Sequence, residues 1–501
     1  DTRHEIMYSI FKKKSTINLP AILRVLGLLL IMEALFMVAP LVVGLVYEEW
    51  DAVEAMLFSV LITAGVGAVM TFGLHPKSMD MHKREGILLT PMVWVFYSAF
   101  GMLPFFFTHS IDNVAAAFME TMSGFTTTGL TVIADVEVLP RAVLFWRAVM
   151  HWVGGMGIIL FSLAVLPMLN HAGGMQLFNA EVTGITHDKL RPRISSTAKS
   201  LWLVYISLTG ILCAMLWAGP MNFFDALCHS MSTLSTGGFS TKNASIAWWD
   251  SMYVDLTITA FMLIGGVNFA LIYHAACGRV RMLTSNATFR WFIGTVLTGA
   301  AMCVVYILIM GTDGRGVGHI VVDALFTCAS AISTTGFVVA DFEVWGQFVV
   351  MVLCIIMFFG SCAGSTSGGA KIDRMELMAK NIKNELYRVL HPNSIVNVRI
   401  NHKVVPQEVV TKAVVFLGIY VCITVMGTLA LTALGIPMQD SFFSALSALS
   451  NVGLGVGEAA GGCYATYSEA AKWLMSLMML LGRLELFTVL VLFTSHFWVK
   501  N

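Results

Sequence analysis

Four phrases of the chain share one pattern. They read Ser123-Gly-Phe-Thr-Thr-Thr-Gly129-Leu130, Ser232-Thr-Leu-Ser-Thr-Gly-Gly238-Phe239, Ser330-Ala-Ile-Ser-Thr-Thr-Gly336-Phe337 and Ser447-Ala-Leu-Ser-Asn-Val-Gly453-Leu454. In each, serine is followed six residues later by glycine and then by a bulky apolar residue. The chemistry such phrases supply is carbonyl coordination. A cation that sheds its water needs replacement oxygens, and a ring of backbone carbonyls offers them without a net charge that would trap the ion. The candidate ligand segments are Thr126, Thr127, Thr128 and Gly129; Ser235, Thr236, Gly237 and Gly238; Ser333, Thr334, Thr335 and Gly336; and Ser450, Asn451, Val452 and Gly453. Glycine lets the backbone turn its carbonyls inward, and small Thr and Ser neighbours leave the centre open. One such phrase alone reads as a helix C-cap, where glycine accepts a positive φ. Four in one register are not explained that way.

Other chemistries find no support. Gly455-Val-Gly457-Glu-Ala-Ala460 matches a loose dinucleotide fingerprint, but it follows a short apolar helix instead of a strand. Gly364 to Lys371 resembles a phosphate loop without its Gly-Lys-Ser/Thr ending. There is no HExxH or GxSxG, and the nine cysteines include no CxxC pair, so no zinc or disulfide framework is implied. His151 and His229 read as packed or hydrogen-bonded side chains, and Glu33, alone in the first apolar run, as satisfied by a neighbouring helix or water. No enzyme, cofactor or nucleic-acid partner is indicated.

The elements that position the four phrases are membrane helices. Hydrophobic residues make up 57% of the 501 and charged ones 12%, about half the charge of an ordinary globular protein. Crossing the hydrocarbon core takes roughly 20 apolar residues. Ten segments qualify or nearly so: 21–47, 52–74, 87–107, 141–168, 201–219, 252–276, 291–311, 344–359, 413–434 and 472–498. The first is too long for a signal-peptide core and is read as a retained span. Four shorter apolar stretches, 112–123, 221–232, 319–330 and 438–447, each lead into one phrase and are expected to enter the membrane and turn back. Most of the 30 Lys and Arg fall on one side of this arrangement, notably over Lys371 to Lys412. The positive-inside rule makes that side cytoplasmic and puts both termini there. The acidic link Glu48-Glu49-Trp50-Asp51 falls outside.

Arg483 lies inside the last apolar run, about 15 Å deep by helix rise. A charge there costs at least ~2.5–3.5 kcal/mol unless it faces water or a partner. Glu485 points to another side of the helix. The arginine is therefore expected to face the lumen below the phrases, with an ion pair to another helix as the alternative.

The four phrases, together with Trp146-Arg147, His151-Trp152-Val-Gly-Gly-Met-Gly157, Gly173-Gly-Met-Gln-Leu177, Arg191-Pro-Arg193, Gly364-Ser-Thr366 and Gly482-Arg-Leu-Glu-Leu486, are similar to the Trk/Ktr/HKT superfamily of cation transporters. The likeness covers nearly the full length and lies nearest the bacterial Trk membrane subunit. It implies an all-α polytopic membrane protein of the bacterial inner membrane, with four parallel span–pore-loop–span repeats around one central pore and two extra N-terminal spans. On that plan, 1–80 is the two-span region, and 81–195, 196–285, 286–405 and 406–501 are the repeats. Glycine at all four filter positions implies potassium as the transported ion, while Asn451-Val452 makes the ring unsymmetrical. The resemblance further implies an intramembrane gating loop that breaks the second helix of the third repeat. Gly360, Gly364, Ser365, Thr366, Gly368 and Gly369 offer it, with Arg483 beside them; a glycine-rich helix contact is the plain alternative. The implied partners are the lipid bilayer, a cytoplasmic nucleotide-binding regulatory ring resembling TrkA, and a second copy in a homodimer. The basic links suit such a ring, and equally suit topology or anionic lipid. Passive flow and coupling to protons or sodium both stay open.

Overall fold

The computed structural model describes residues 17–76, 81, 83–157, 194–311, 314–394, 396–401, 403–484 and 486–498. Helix dominates them. α1 (Leu19–Val46) and α2 (Trp50–Gly73) form an antiparallel hairpin. Their backbones approach closely at Gly27 and Gly67, where an added Cβ on either would fall within 3.0 Å of the other's carbonyl, the small-residue contact that packs helices in lipid.

From there one order recurs: a long helix, a short helix, a phrase, and a second helix. α3 (Lys83–Gly101), α4 (Val114–Phe125) and α5 (Arg141–Gly155) come first. α6 (Ile194–Ala218), α7 (Phe223–Leu234) and α8 (Met252–Gly265) follow, and α9 (Phe269–Ala276) continues from α8 after a bend of 109°. Next stand α10 (Ala287–Met310), α11 (Val317–Ile332), α12 (Gln347–Phe359) and α13 (Ile372–Leu390). A two-residue hairpin pairing Arg399 with Val404 precedes α14 (Gln407–Ala433), α15 (Met438–Ser450) and α16 (Glu469–Arg483). Asn113 and Asn222 cap α4 and α7 by accepting backbone N–H bonds at 3.1 and 2.8 Å. Gly316 and Pro437 stand at the starts of α11 and α15.

The packing is cyclic. α5 lies on α7, α8 on α11, α12 on α15, and α16 returns to α4. Around it runs a continuous apolar core, with a second cluster beneath α6, α7 and α8.

Among the described residues, six helices are long and apolar enough to cross a membrane: Leu19–Val46, Trp50–Gly73, Arg84–Phe107, Lys199–Ala218, Ala287–Met310 and Gln407–Ala433. They coincide with six of the ten expected spans. The expected spans 252–276 and 472–498 are not continuous: each bends sharply, the latter by 117° after Arg483. At the first break, the carbonyls of Gly265 and Gly266 accept N–H bonds from Thr366 and Cys362 of a distant loop instead of the next helical turn. Asn268 then starts α9 as its N-cap. The expected 344–359 span is a 13-residue helix. The end of 141–168, Gly173 to Leu177, Arg191 to Arg193 and Glu485 lie outside the described residues.

Candidate functional site

Each short helix closes the same way. The fourth residue after the serine, Thr127, Thr236, Thr334 or Asn451, has left-handed φ of 54–57°. The next residue's N–H returns to the serine carbonyl: Thr128 to Ser123 at 2.9 Å, Gly237 to Ser232 at 2.8 Å, Thr335 to Ser330 at 2.9 Å and Val452 to Ser447 at 3.0 Å. The N–H of the left-handed residue bonds one carbonyl further on, to Gly124, Thr233, Ala331 and Ala448. This is a Schellman closure. A threonine held at such φ costs roughly 1–2 kcal/mol, so the cap is not where glycine sits. The glycines come two residues later, at φ 81–90°.

What demands glycine there is the neighbouring segment. A Cβ on Gly129 would collide with the carbonyl oxygen of Gly237, one on Gly238 with that of Thr335, one on Gly336 with that of Val452, and one on Gly453 with that of Thr128. The order runs first, second, third, fourth and back to first, so the four segments form a closed ring. Gly129, Gly238 and Gly336 are half-buried and Gly453 is buried. The Thr and Ser side chains of these segments are buried, and within a segment Thr126 Oγ1 bonds to Thr128 Oγ1 and Ser333 Oγ to Thr335 Oγ1, both at 2.7 Å. Asn451 Nδ2 donates to Thr128 Oγ1 at 2.9 Å and to the Met479 carbonyl at 3.0 Å, crosslinking the fourth segment to the first. Four helix C-termini thus meet at one ring, each carrying about half a negative charge. Backbone oxygens within that field suit a desolvated cation.

The loop 360–371 packs against this ring. Thr366 Oγ1 donates to the carbonyls of Leu234 at 3.1 Å and Gly265 at 3.2 Å, and Thr236 Oγ1 to Thr366 Oγ1 at 3.3 Å. Gly368 N–H donates to Thr334 Oγ1 at 2.8 Å, and its Cα faces the Ser450 carbonyl and the Asn451 side chain. Arg483 donates from Nη1 to the Thr366 carbonyl at 2.7 Å and to Thr127 Oγ1 at 3.2 Å, and from Nη2 to the Gly154 carbonyl at 2.6 Å. Gly360 and Gly369 pack on each other at the neck of the loop. Gly364 and Ser365 do not reach the ring: Gly364 lies against Asn268, and Ser365 bonds to Cys362 and Ser367. Lys371, buried at the loop's end, donates to the Ser367 carbonyl at 2.6 Å.

His151 shares a hydrogen bond with Ser232 Oγ at 3.0 Å and stacks on Phe239. His229 bonds the Asp225 carbonyl at 2.7 Å and Ser240 Oγ at 2.9 Å. Both are packed around the second segment, as their sequence setting suggested. Glu33 is buried, and neither carboxyl oxygen has a hydrogen-bond partner among the described residues, so no described helix satisfies it. Arg147, quoted above only as part of a motif, forms a buried ion pair at 2.8 Å with Glu120, a residue that sequence reasoning passed over. A carboxylate at position 120, three residues before the first phrase in an apolar helix, was the available signal. Outside the ring, the Asn243 amide bonds Asp135 at 2.7 Å and holds its carboxyl below the usual carboxylate range.

The family model named TrkH, described as a cation transport protein, matches residues 54–499. The Trk system potassium uptake protein TrkH of Salmonella typhimurium is 36% identical over 482 residues, 95% of this chain and 99% of that protein. The protein of the same name from Halomonas elongata is 37% identical over 494 residues, 96% of this chain and all of that one. Among solved structures, the potassium transporter TrkH from Vibrio parahaemolyticus superimposes with a TM-score of 0.86 at 33% identity, covering 96% of this chain and 100% of that one.

Proposed function

This chain belongs to the TrkH family of cation transport proteins, and we propose that it takes up potassium ions across a bacterial inner membrane through a channel-like path lined by the ring. The observation that carries the reading is the cyclic set of glycine–carbonyl contacts among Gly129, Gly238, Gly336 and Gly453. Such a ring offers backbone oxygens to a dehydrated cation and no fixed charge to hold it. The names of the relatives point to potassium. The four sets of helices act as parallel pore-loop repeats around that path, and α1 and α2 are two additional spans. Both termini face the cytoplasm.

The loop 360–371 is the gate in this reading. It touches the left-handed residues of the ring, and Arg483 fastens it through the Thr366 carbonyl. A nucleotide-binding regulatory ring docked on the basic cytoplasmic links would release it, with the transporter acting as a homodimer. Tracer rubidium uptake in cells lacking their own potassium importers tests the proposal. Uptake that potassium competes away is expected, and none, with protein verified in the membrane, would refute it. Reversal potentials in opposed potassium and proton gradients separate passive flow, which follows potassium alone, from coupled transport.

A further inference from the structure

We infer that the buried Glu120–Arg147 pair is a brace that holds the outer rim of the ring and thereby sets its discrimination between potassium and sodium; the inference rests on the conduction path proposed above. Glu120 and Arg147 are 0% and 2% exposed, on α4 and α5. Replacing a buried pair of this kind with apolar groups is often neutral or stabilising, whereas removing one partner is costly. Stability alone therefore does not account for the pair. Its hydrogen bonds run to the residues just past the ring glycines.

In the first segment, two places after Gly129, Thr131 Oγ1 donates to Glu120 Oε2 at 3.0 Å, and Val132 N–H donates to the same oxygen at 2.8 Å. In the second, Arg147 Nη1 donates to the Ser240 carbonyl at 3.1 Å, and its guanidinium lies 4.0 Å from the ring centre of Phe239. Arg147 Nη2 also donates to Thr131 Oγ1 at 3.2 Å. Thr131 passes the restraint to the fourth segment. It pairs in parallel with Cys463, its N–H donating to the Gly462 carbonyl at 3.0 Å and its carbonyl accepting from Tyr464 at 2.7 Å. Tyr464 Oη then donates to the Leu454 carbonyl, next to Gly453, at 3.1 Å. One ion pair so fixes the exits of three segments. The third is held separately, by Ile246 and Ala247 N–H groups on the Val338 carbonyl.

Glu120 and Arg147 are positioning residues, since neither meets the ion. The decisive variant is Thr131→Val, which removes the hydroxyl's hydrogen bonds to Glu120 and Arg147 but leaves the charges matched. Its potassium-to-sodium permeability ratio should fall roughly tenfold, which corresponds to about 1.4 kcal/mol, with membrane abundance and thermal stability close to the parent's. Thr131→Ser should restore the ratio. Glu120→Gln with Arg147→Gln, which buries no lone charge, should lower it as well. A Thr131→Val protein that folds, conducts and discriminates like the parent overturns the brace. So does one whose only change is lower stability. A parent chain that moves neither ion refutes the transport reading itself, and this inference falls with it.

Discussion

Gly129→Ser tests the ring most directly. At φ +87°, a Cβ on residue 129 would collide with the Gly237 carbonyl oxygen while lying 3.3 Å from Gly237 C and 3.4 Å from Gly238 Cα. None of these is the end of a flexible side chain, so backbone must move. Left-handed backbone costs a residue with a side chain roughly 1–2 kcal/mol, and relieving the overlap displaces the Gly237 carbonyl, one of the ring's proposed ligands. Discrimination changes tenfold for each ~1.4 kcal/mol of differential interaction. A misplaced oxygen on this scale should therefore lower the potassium-to-sodium permeability ratio by about an order of magnitude. Reversal potentials under bi-ionic conditions measure the ratio. Gly210→Ser is the matched control, because a Cβ at Gly210 of α6 meets nothing within 4 Å among the described residues. An unchanged ratio in a conducting Gly129→Ser protein, or an equal change in the control, would refute the carbonyl-ring argument.

Arg483→Gln removes the charged donors to Thr366 and Gly154, each worth about 1.5–3 kcal/mol, and should raise potassium flux roughly tenfold in single-turnover rubidium efflux from vesicles. Thr366→Val loses the neutral hydroxyl bonds to Leu234, Gly265 and Thr236 but keeps the Arg483 bond to its carbonyl, so the same assay should show a smaller rise of about fivefold, at ~1 kcal/mol for a neutral bond. Gly154→Ala drives a Cβ into the Phe125 carbonyl of the first phrase; such overpacking costs typically 1–3 kcal/mol and should show as a lower melting temperature in detergent.

The phrases were legible because ring geometry leaves a local mark: a Cβ at any of four positions meets a neighbour's backbone, so glycine recurs in register. The short helices were legible for the same reason, since each must deliver its phrase from one side. What stayed hidden was set by partners distant in sequence. The bend after Gly265 arises because Cys362 and Thr366 take the carbonyls that would have continued the helix, and nothing in 252–276 records that competition. Thr127, Thr236 and Thr334 carry left-handed backbone that a sequence reader assigns to glycine. The Glu120–Arg147 pair escaped notice because its residues lie 27 positions apart on separate helices. The likeness to the Trk family supplied the candidate loop, while its contacts with the ring are made by residues far apart in sequence.

Those contacts relate the proposed gate to the proposed filter. The loop 360–371 and the arginine that fastens it meet the left-handed residue of every segment: Thr127 through Arg483, Thr236 through Thr366, Thr334 through the Gly368 N–H, and Asn451 against the Gly368 backbone. These residues are two places from the ring glycines and sit in strained backbone that persists only while its surroundings hold it. If the loop swings aside as proposed, it removes three of these restraints at once, those on Thr236, Thr334 and Asn451. On the proposed outer side the Glu120–Arg147 brace, which does not involve the loop, stays in place. An opened transporter with the outer rim intact should then conduct faster at nearly unchanged selectivity, whereas losing the rim should cost selectivity with the gate still shut. On the proposed reading, a single chain with four unlike segments separates the two jobs in this way, because one loop serves the inner side and one ion pair the outer.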